Sequence, residues 1–425
     1  MPRNHYADSL IDFLNESPSP YHALAATSSR LQSAGVKPSA EKQSWQPRPG
    51  TSALLIRGES TLAAVRIPMG FRSEEPFPFH IVAAHTDSPC LRLKPRPTES
   101  IFGYQQWGVE VYGGVLFNSW LDRDLGLAGR VIPLGTKSQP GKLIRMDQFP
   151  IRIPQLAIHL DRAVNEQGLV LNPQRHLVPI LGQTGASLES LLAVESGVAF
   201  SDMAFDLCLF DRTPARYGGL GDEFVFSGRL DNLAMCHAAL TAFLEAPDGN
   251  AIQVMVLFDH EEVGSVSHLG AQSNFLASVL ERVALALGVN REQWLALLPQ
   301  SFLISADMAH GIHPNYPEKH EPDHYPLLNR GIVLKANAGM RYSSTGESSS
   351  RLQAFARQAG VEVQHFLSRS DLGCGSTVGP ALSAALGIPA VDIGNAMLSM
   401  HSVREMCGSG DHGEMIALMK EFFRG

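Results

Sequence analysis

Hydrophobic positions recur along the chain with two different spacings. Apolar residues three or four positions apart predict helices at residues 7–14, 21–34, 279–287 and 350–358. Short apolar runs predict strands at residues 52–56, 62–67, 81–84, 252–258, 302–305, 331–335 and 390–393. Because these strands alternate with helices, most clearly after about residue 230, the pattern predicts a three-layer α/β/α domain.

The middle of the chain has a different pattern. After Lys94-Pro95-Arg96-Pro97, short strand-like pieces separated by glycine and proline occur at residues 109–112, 129–132 and 155–160. A chain of 425 residues also exceeds the size at which one hydrophobic core normally stops growing. We therefore expect one catalytic α/β domain formed by residues 1–94 and 230–425, interrupted by a β-rich domain at residues 95–229.

Composition restricts the class of protein. Hydrophobic residues make up 44% of the chain and charged residues 18%, which is typical of a folded globular protein. The 34 basic and 42 acidic residues give a net charge of −8 without a Lys/Arg-rich run, so we expect no nucleic-acid partner. The five cysteines form no Cys-x-x-Cys pair, which argues against a disulfide framework or a thiolate zinc site. Without a membrane-length apolar stretch or a signal peptide, we expect a soluble cytoplasmic protein with no membrane partner.

Acidic and histidine residues follow the predicted strands at the point where several of them end. Because ligands bind at the carboxyl ends of strands in open α/β sheets, these residues are candidates for a shared site. Each alone has an ordinary explanation, such as a helix cap, a solvated charge pair or a buried histidine. Together they would be costly to bury unless a cation paired with them. The candidates are His85, Asp231, Glu262, Asp307 and His401, with Asp87 and Glu261 beside them.

Charge counting favours two metal ions. Three carboxylates and two neutral histidines supply about −3, which two divalent cations would balance together with an ionised water. One shared carboxylate would give each ion three protein ligands, the open arrangement of catalytic sites. Such a pair polarises a carbonyl and activates water, and Glu261, which diverges from Glu262, is then free to act as general base. Asp87 is placed to orient the His85 imidazole. Carboxylate and imidazole ligands suit zinc, manganese or cobalt.

Other chemistries match less well. The His-Glu-x-x-His helix of single-zinc proteases is absent, because position 264 is glycine. No Gly-x-Ser-x-Gly serine-hydrolase elbow occurs. Residues 373–378 match a phosphate loop only in part, and we expect a tight turn into a helix there. We expect the histidines between residues 310 and 324 to lie on a surface loop.

Six motifs occur in order: HTDSP (85–89), SGRLDNL (227–233), DHEEVGS (259–265), SADMAHGIH (305–313), RSDLGCGSTVG (369–379) and MHSVREM (400–406). With these motifs the chain resembles the aspartyl aminopeptidase family of metallo-aminopeptidases over nearly its whole length. The resemblance implies a catalytic domain of the two-zinc exopeptidase type. It also implies one zinc on His85, Asp231 and Asp307, a second on Asp231, Glu262 and His401, and Glu261 as the base.

The resemblance further implies how substrate binds and how the chain assembles. It assigns substrate binding to His310, Lys335 and Tyr342. His159 of the inserted domain would reach the site of a neighbouring subunit, where it would bind substrate or, as an open alternative, a metal ion. The inserted domain would mediate dimerisation within a dodecamer. Peptides with N-terminal Asp or Glu would be preferred, and we expect Lys335 to supply the cation for them. Two alternatives remain open from the residues: a two-metal aminopeptidase of broader specificity, and an inactive oligomeric metal-binding scaffold.

Overall fold

The structure, a computed structural model, describes residues 4–96, 100–135, 140–183 and 187–425. Pro97 of the predicted boundary segment lies outside these residues. In chain order, the helices are α1 (His5–Glu16), α2 (Pro20–Ser33), α3 (Val164–Gln167), α4 (Pro173–His176), α5 (Leu188–Ser196), α6 (Leu230–Glu245), α7 (Phe275–Ala286), α8 (Arg291–Leu297), α9 (Gly346–Ala359), α10 (Val378–Leu386) and α11 (Asp411–Arg424).

The strands are, in the same order, β1 (Lys37–Ser39), β2 (Ser52–Arg57), β3 (Thr61–Arg66), β4 (Phe79–His85), β5 (Cys90–Leu93), β6 (Gln105–Gln106), β7 (Val109–Tyr112), β8 (Leu125–Pro133), β9 (Lys142–Ile151), β10 (Ile180–Gly182), β11 (Met203–Asp211), β12 (Arg216–Gly218), β13 (Phe224–Ser227), β14 (Ile252–Phe258), β15 (Phe302–Ala306), β16 (Ala309–His310), β17 (Ile332–Lys335), β18 (Val363–Phe366), β19 (Ala390–Gly394), β20 (Ala396–Leu398) and β21 (Glu405–Gly408).

A nine-stranded sheet forms the centre of the molecule, in the order β1-β2-β3-β14-β4-β15-β19-β17-β18. Its middle strands β14, β4, β15 and β19 are mutually parallel. Every residue of β4, β14 and β15 is buried, because helices cover both faces of the sheet. This is why the sequence shows these strands as continuous apolar runs.

Two hydrophobic cores lie on opposite faces of this sheet. Successive side chains of one strand point to opposite faces, so Val82 and Ala84 join the core under α1, α2, α6, α9 and α11. Ile81 and Ala83 join the core under α7, α8 and α10. The predicted three-layer α/β/α arrangement is therefore what the chain forms.

A second, five-stranded sheet in the order β7-β5-β11-β8-β9 is antiparallel and lies mainly in the middle of the chain. It has its own core, which includes Trp107, Trp120 and Ile144. The predicted strand at residues 155–160 was wrong: the segment contains only a 3-10 turn at Ile158–Leu160. It follows Pro154 and its side chains are exposed, so neither a ladder partner nor a core favours an extended strand.

A third sheet, also of five strands, connects distant parts of the sequence in the order β12-β13-β21-β20-β16. It places β21 beside β13 in antiparallel register, with Glu405 opposite Ser227. Among the described residues, no helix combines the length and the apolar character needed to cross a bilayer. The domain boundaries near residues 95 and 230 stay a prediction.

Candidate metal centre

The predicted ligands meet at one edge of the central sheet. His85 ends β4, Asp307 directly follows β15, and the Glu261–Glu262 turn follows β14. These three strands are neighbours and run parallel, so their carboxyl ends lie side by side. Asp231 and His401 reach the same place from the first turn of α6 and from the segment after β20. The structure thus brings all the predicted ligand residues together.

Asp231 lies between the two histidines. His85 Nε2 is 3.6 Å from Asp231 Oδ1 and 3.7 Å from Asp307 Oδ2. His401 Nε2 is 3.3 Å from Asp231 Oδ2 and 3.4 Å from Glu262 Oε2. The set His85, Asp231 and Asp307 and the set Asp231, Glu262 and His401 each bring three ligand atoms within 4.8 Å of one another. Each carboxylate oxygen of Asp231 therefore faces a different set.

Both imidazoles are oriented by backbone carbonyl groups. His85 Nδ1 lies 3.0 Å from the carbonyl oxygen of Asp87 and 3.4 Å from its Oδ1. His401 Nδ1 lies 3.0 Å from the carbonyl oxygen of Gly114, in the middle region of the chain. When Nδ1 donates its proton to these oxygens, Nε2 is left with a lone pair. This lone pair points into the cage, the space enclosed by the side chains of His85, Asp231, Glu262, Asp307 and His401.

Asp87 also holds the turn that carries the two glutamates. Its Oδ1 accepts a hydrogen bond from the Glu261 backbone N–H and its Oδ2 accepts one from that of Glu262, each at 3.1 Å. Tyr112 Oη donates to the same Oδ2 at 2.6 Å. Asp87 is fully buried. The sequence predicted that it orients His85; the structure shows that it anchors the Glu261–Glu262 turn as well.

The Asp231 backbone leaves the helical path at the start of α6. Asp231 has φ −82° and ψ 104°, and the peptide bond to Asn232 is cis. Its carbonyl oxygen accepts a 2.6 Å hydrogen bond from Ser88 Oγ, and Asn232 Nδ2 donates to the carbonyl of Ala306 at 2.9 Å. Asp231 therefore lies within the first turn, and its side chain is directed at the histidines instead of capping the helix.

Glu261 differs from the other carboxylates in its contacts. Its Oε2 lies 3.9 Å from His85 Nε2. Glu261 forms a third group of possible ligand atoms with His85 and Glu262, but this group contains neither Asp231 nor Asp307. Burial raises the pKa of Glu261 to about 8, with His85 opposing the shift and Asp307 and Asp87 adding to it. Burial and the nearby Asp231 also raise the pKa of Glu262 well above its ordinary value.

The donor set fits divalent cations. Asp231 Oδ1 and Glu262 Oε1 are buried and have no hydrogen-bond partner in the described part of the chain. Buried carboxylate oxygens without a partner are costly, and a cation would pair with both. Three carboxylates and two imidazoles, without a thiolate, are ligands that zinc, manganese and cobalt accept.

Comparison with known proteins decides the family. The sequence profile described as Aminopeptidase I zinc metalloprotease (M18) matches residues 13–423. The chain belongs to the M18 aminopeptidase family. This M18 aminopeptidase is therefore a zinc-metalloprotease-type hydrolase, as the motifs predicted. The alternative of an inactive scaffold is set aside.

Individual relatives cover almost all of the chain. It is 43% identical over 423 residues to a Mycobacterium leprae protein named Probable M18 family aminopeptidase 2, with 98% of each chain covered. It is 40% identical over 449 residues to Aspartyl aminopeptidase 1 of Schizosaccharomyces pombe, covering 97% of this chain and 93% of the other. The solved S. cerevisiae mApe1 dodecamer matches with a TM-score of 0.84 at 29% identity, covering 99% and 96% of the two chains. The fold class is thereby confirmed.

Three residues predicted to bind substrate lie beside the cage of this M18 aminopeptidase. Lys335 is buried, with Nζ 3.4 Å from Asp307 Oδ1, 3.1 Å from the Met308 carbonyl oxygen and 5.1 Å from the centre of the Tyr342 ring. His310 keeps solvent-exposed surface in a cleft that Phe366 and Met397 also line. The protein around its imidazole excludes enough water to lower its pKa to about 4. Lys335 thus neutralises a predicted metal ligand, which the sequence did not indicate.

His159 is placed differently. It lies in the exposed 3-10 turn Ile158–Leu160 and makes no hydrogen bond or ion pair with the cage within the described residues of one chain. Its neighbours Leu156, Ile158 and Leu160 are 60%, 45% and 74% exposed. Within a single chain, His159 is therefore not part of the site.

Sequence reasoning missed two residues that hold the cage. Tyr112, which donates to Asp87, ends a strand of the second sheet, and no motif marks it. Glu405 accepts hydrogen bonds from the backbone N–H groups of Asp231 and His401. Burial and the Asp231 charge raise its pKa to about 8. Its place in the motif at residues 400–406 was the only available signal.

Proposed function

We propose that this M18 aminopeptidase removes N-terminal Asp or Glu from peptides with the help of two divalent ions, zinc in preference to manganese or cobalt. The observation that carries the proposal is the pair of ligand sets that share Asp231, neither of which contains Glu261. The third set, which does contain Glu261, adds only His85 and Glu262, and each of these already belongs to one of the two sets. Ions held there would polarise the scissile carbonyl and lower the pKa of a water molecule.

The chain's own residues would move the proton. Glu261 would take a proton from the attacking water and pass it to the peptide nitrogen as the C–N bond breaks. Asp87 would keep the Glu261 carboxylate in reach by holding the Glu261 and Glu262 backbone amides. His85 and His401 would stay oriented through their Nδ1 hydrogen bonds.

The test of the mechanism is Glu261→Gln. The amide keeps the shape of the side chain but cannot accept the proton, so we expect kcat to fall by about 10²- to 10⁴-fold. Metal content per chain should stay at the wild-type value, because Glu261 belongs to neither ligand set. Glu262→Gln is the matched neighbour and should lose metal. A Glu261→Gln enzyme with wild-type kcat would overturn the role of Glu261.

The preference for acidic peptides is supported by two observations. One relative carries the name Aspartyl aminopeptidase 1, and Lys335 places a cation at the cage beside Tyr342. A lysine ammonium has three N–H donors, and one remains after Met308 and Asp307 are contacted. Kinetics on Asp-, Glu-, Leu- and Lys-capped amides test the preference. If the Leu or Lys substrate has the highest kcat/KM, the enzyme is instead an M18 aminopeptidase of broader specificity.

Assembly is part of the same proposal. Residues 1–94 and 230–425 would form the catalytic domain, and residues 95–229 an inserted dimerisation domain, within a dodecamer like that solved for S. cerevisiae mApe1. The exposed apolar side chains around His159 support an interface there. All five cysteines are free thiols, which suits the cytoplasmic location that completes the proposal.

Mixed oligomers test whether His159 acts on a neighbouring subunit. His159→Ala and Glu261→Gln chains should each be nearly inactive alone. After dissociation and reassembly together, some sites would combine an intact His159 with an intact Glu261, and activity should return. If mixing restores nothing although the oligomers form, His159 does not serve a neighbouring site.

A further inference from the structure

One buried carboxylate connects two of the proposed ligands without facing the cage. Glu405 is 3% exposed. Its Oε1 accepts a hydrogen bond from the His401 backbone N–H at 2.8 Å, and its Oε2 accepts one from the Asp231 backbone N–H at 3.2 Å. Each of its two carboxyl oxygens therefore pairs with the backbone of a different proposed ligand.

Both amides are in irregular backbone. Asp231 lies outside helical φ and ψ although it is in the first turn of α6. His401 has φ +67°, a left-handed conformation that is uncommon for a residue with a side chain. The Asp231 N–H lies in the first turn of α6, where N–H groups have no acceptor within the helix, and the His401 N–H lies outside every strand. Since buried N–H groups need acceptors, the carboxylate of Glu405 fixes where both residues turn.

The third sheet determines where Glu405 lies. It is the first residue of β21, and its Cα is paired with that of Ser227 at the end of β13. Asp231 lies four residues after Ser227, and His401 lies four residues before Glu405. The register between β13 and β21 therefore sets how far the Glu405 carboxylate lies from the segment that carries Asp231 and from the segment that carries His401.

We propose that Glu405 is a positioning residue for one of the two ions, the one assigned to Asp231, Glu262 and His401; this inference rests on the proposed function. The other ion would keep two ligands that are held by different contacts. His85 is oriented by the carbonyl of Asp87, and Asp307 is paired with Lys335. Loss of the Glu405 side chain should therefore lower the affinity for one ion and leave the affinity for the other unchanged.

The experiment compares Glu405→Gln with a matched control, Asp411→Asn. Asp411 is also buried and accepts two backbone hydrogen bonds, from Asn329 N at 2.7 Å and from Gly331 N at 3.0 Å, but it lies outside the cage. Zinc affinities of the full-length wild-type and variant proteins are measured by competition with a chromophoric chelator. Metal-free unfolding temperatures are measured in parallel.

We expect Glu405→Gln to bind one zinc with wild-type affinity and the other about 10- to 100-fold more weakly. Its activity should recover when zinc is raised. Asp411→Asn should lower the unfolding temperature but bind both ions as the wild type does. Glu405→Asp keeps the carboxyl group but is one methylene shorter, so it reaches only one amide. It should give an intermediate loss, and it replaces Glu405→Gln if that variant does not fold.

Two outcomes separate this inference from the proposed function. If the wild type binds two ions and the folded Glu405 variants bind both with unchanged affinity, Glu405 is a structural residue and the inference is overturned. If the affinity for both ions falls by a similar factor, the claim that Glu405 positions the ligands of one ion only is overturned. If the wild type itself binds fewer than two ions per chain, the two-ion proposal fails first.

Discussion

Asp87→Asn removes one acceptor from the contacts that hold the Glu261–Glu262 turn. If the new amide keeps its oxygen toward Glu261 N, its NH2 group faces Glu262 N–H and Tyr112 O–H. The tyrosine hydroxyl can rotate and accept a hydrogen bond, but the Glu262 N–H cannot. If the amide is flipped, its NH2 group faces Glu261 N–H instead. In either orientation one backbone amide of the turn loses the acceptor that it has at 3.1 Å.

A buried donor without an acceptor costs about 1–3 kcal/mol. If the turn relaxes away from its present position to reach water, that energy appears as lost transition-state stabilisation. At about 1.4 kcal/mol per tenfold change, kcat/KM falls by roughly 5- to 150-fold. At saturating zinc the metal content should stay at the wild-type value, because a displaced Glu262 would weaken metal binding without removing a ligand.

The assay is kcat/KM on an acidic amide substrate at saturating zinc, together with metal analysis of the same sample. Tyr112→Phe is the control, because it removes the 2.6 Å hydrogen bond but leaves both turn amides paired. It should therefore lose less activity than Asp87→Asn. The reasoning is refuted if Asp87→Asn stays within twofold of the wild type, or if Tyr112→Phe costs as much.

Two further predictions concern charges. Lys335→Met removes the cation beside Asp307, so all substrates should be cleaved more slowly, and the ratio of kcat/KM for Asp over Leu substrates should fall by at least about tenfold. An unchanged ratio would mean that Lys335 pairs with Asp307 and does not bind the acidic side chain of the substrate. For His412, burial lowers the pKa to about 3. The unfolded chain therefore takes up the proton first, near its ordinary pKa of about 6.5, and stability is lost as the pH falls below that value. At pH 5 the contribution of His412 to this loss is about 2 kcal/mol. In urea unfolding of metal-free protein, His412→Gln should remove this part of the pH dependence, while other buried histidines such as His80 and His237 keep theirs.

The central strands and the ligands at their ends could be predicted from the sequence for one physical reason. Strands buried on both faces appear as uninterrupted apolar runs, so a charged residue at the end of a run stands out. β4 ending at His85 and β15 ending before Asp307 are examples. The helical spacing around α2 and α9 was equally clear, because each helix presents only one face to the core.

What could not be predicted depends on contacts between distant segments. Residues 155–160 contain apolar side chains that resemble a strand, but these side chains are exposed, and exposure cannot be read from the alternation itself. Tyr112 meets Asp87, and the Gly114 carbonyl meets His401, only because the second sheet folds against the cage. Lys335 appeared as a free cation for substrate until the fold placed Asp307 at 3.4 Å.

Two buried carboxylates beside the cage, those of Asp87 and Glu405, accept hydrogen bonds from backbone N–H groups instead of serving as proposed metal ligands. The conformation of the backbone explains why they are there. His260 and His401 both have left-handed φ values, +65° and +67°, next to ligand-bearing segments. Such conformations cost about 1 kcal/mol or more each and persist only when other contacts stabilise them. Asp87 binds the amides that follow His260, and Glu405 binds the amide of His401 itself. Irregular turns can direct several side chains to one point, but only if their freed N–H groups are paired. A carboxyl group has two acceptor oxygens and can pair two such groups at once. Hence a carboxylate close to a metal cage cannot be assigned as a ligand from its type and position in the sequence alone.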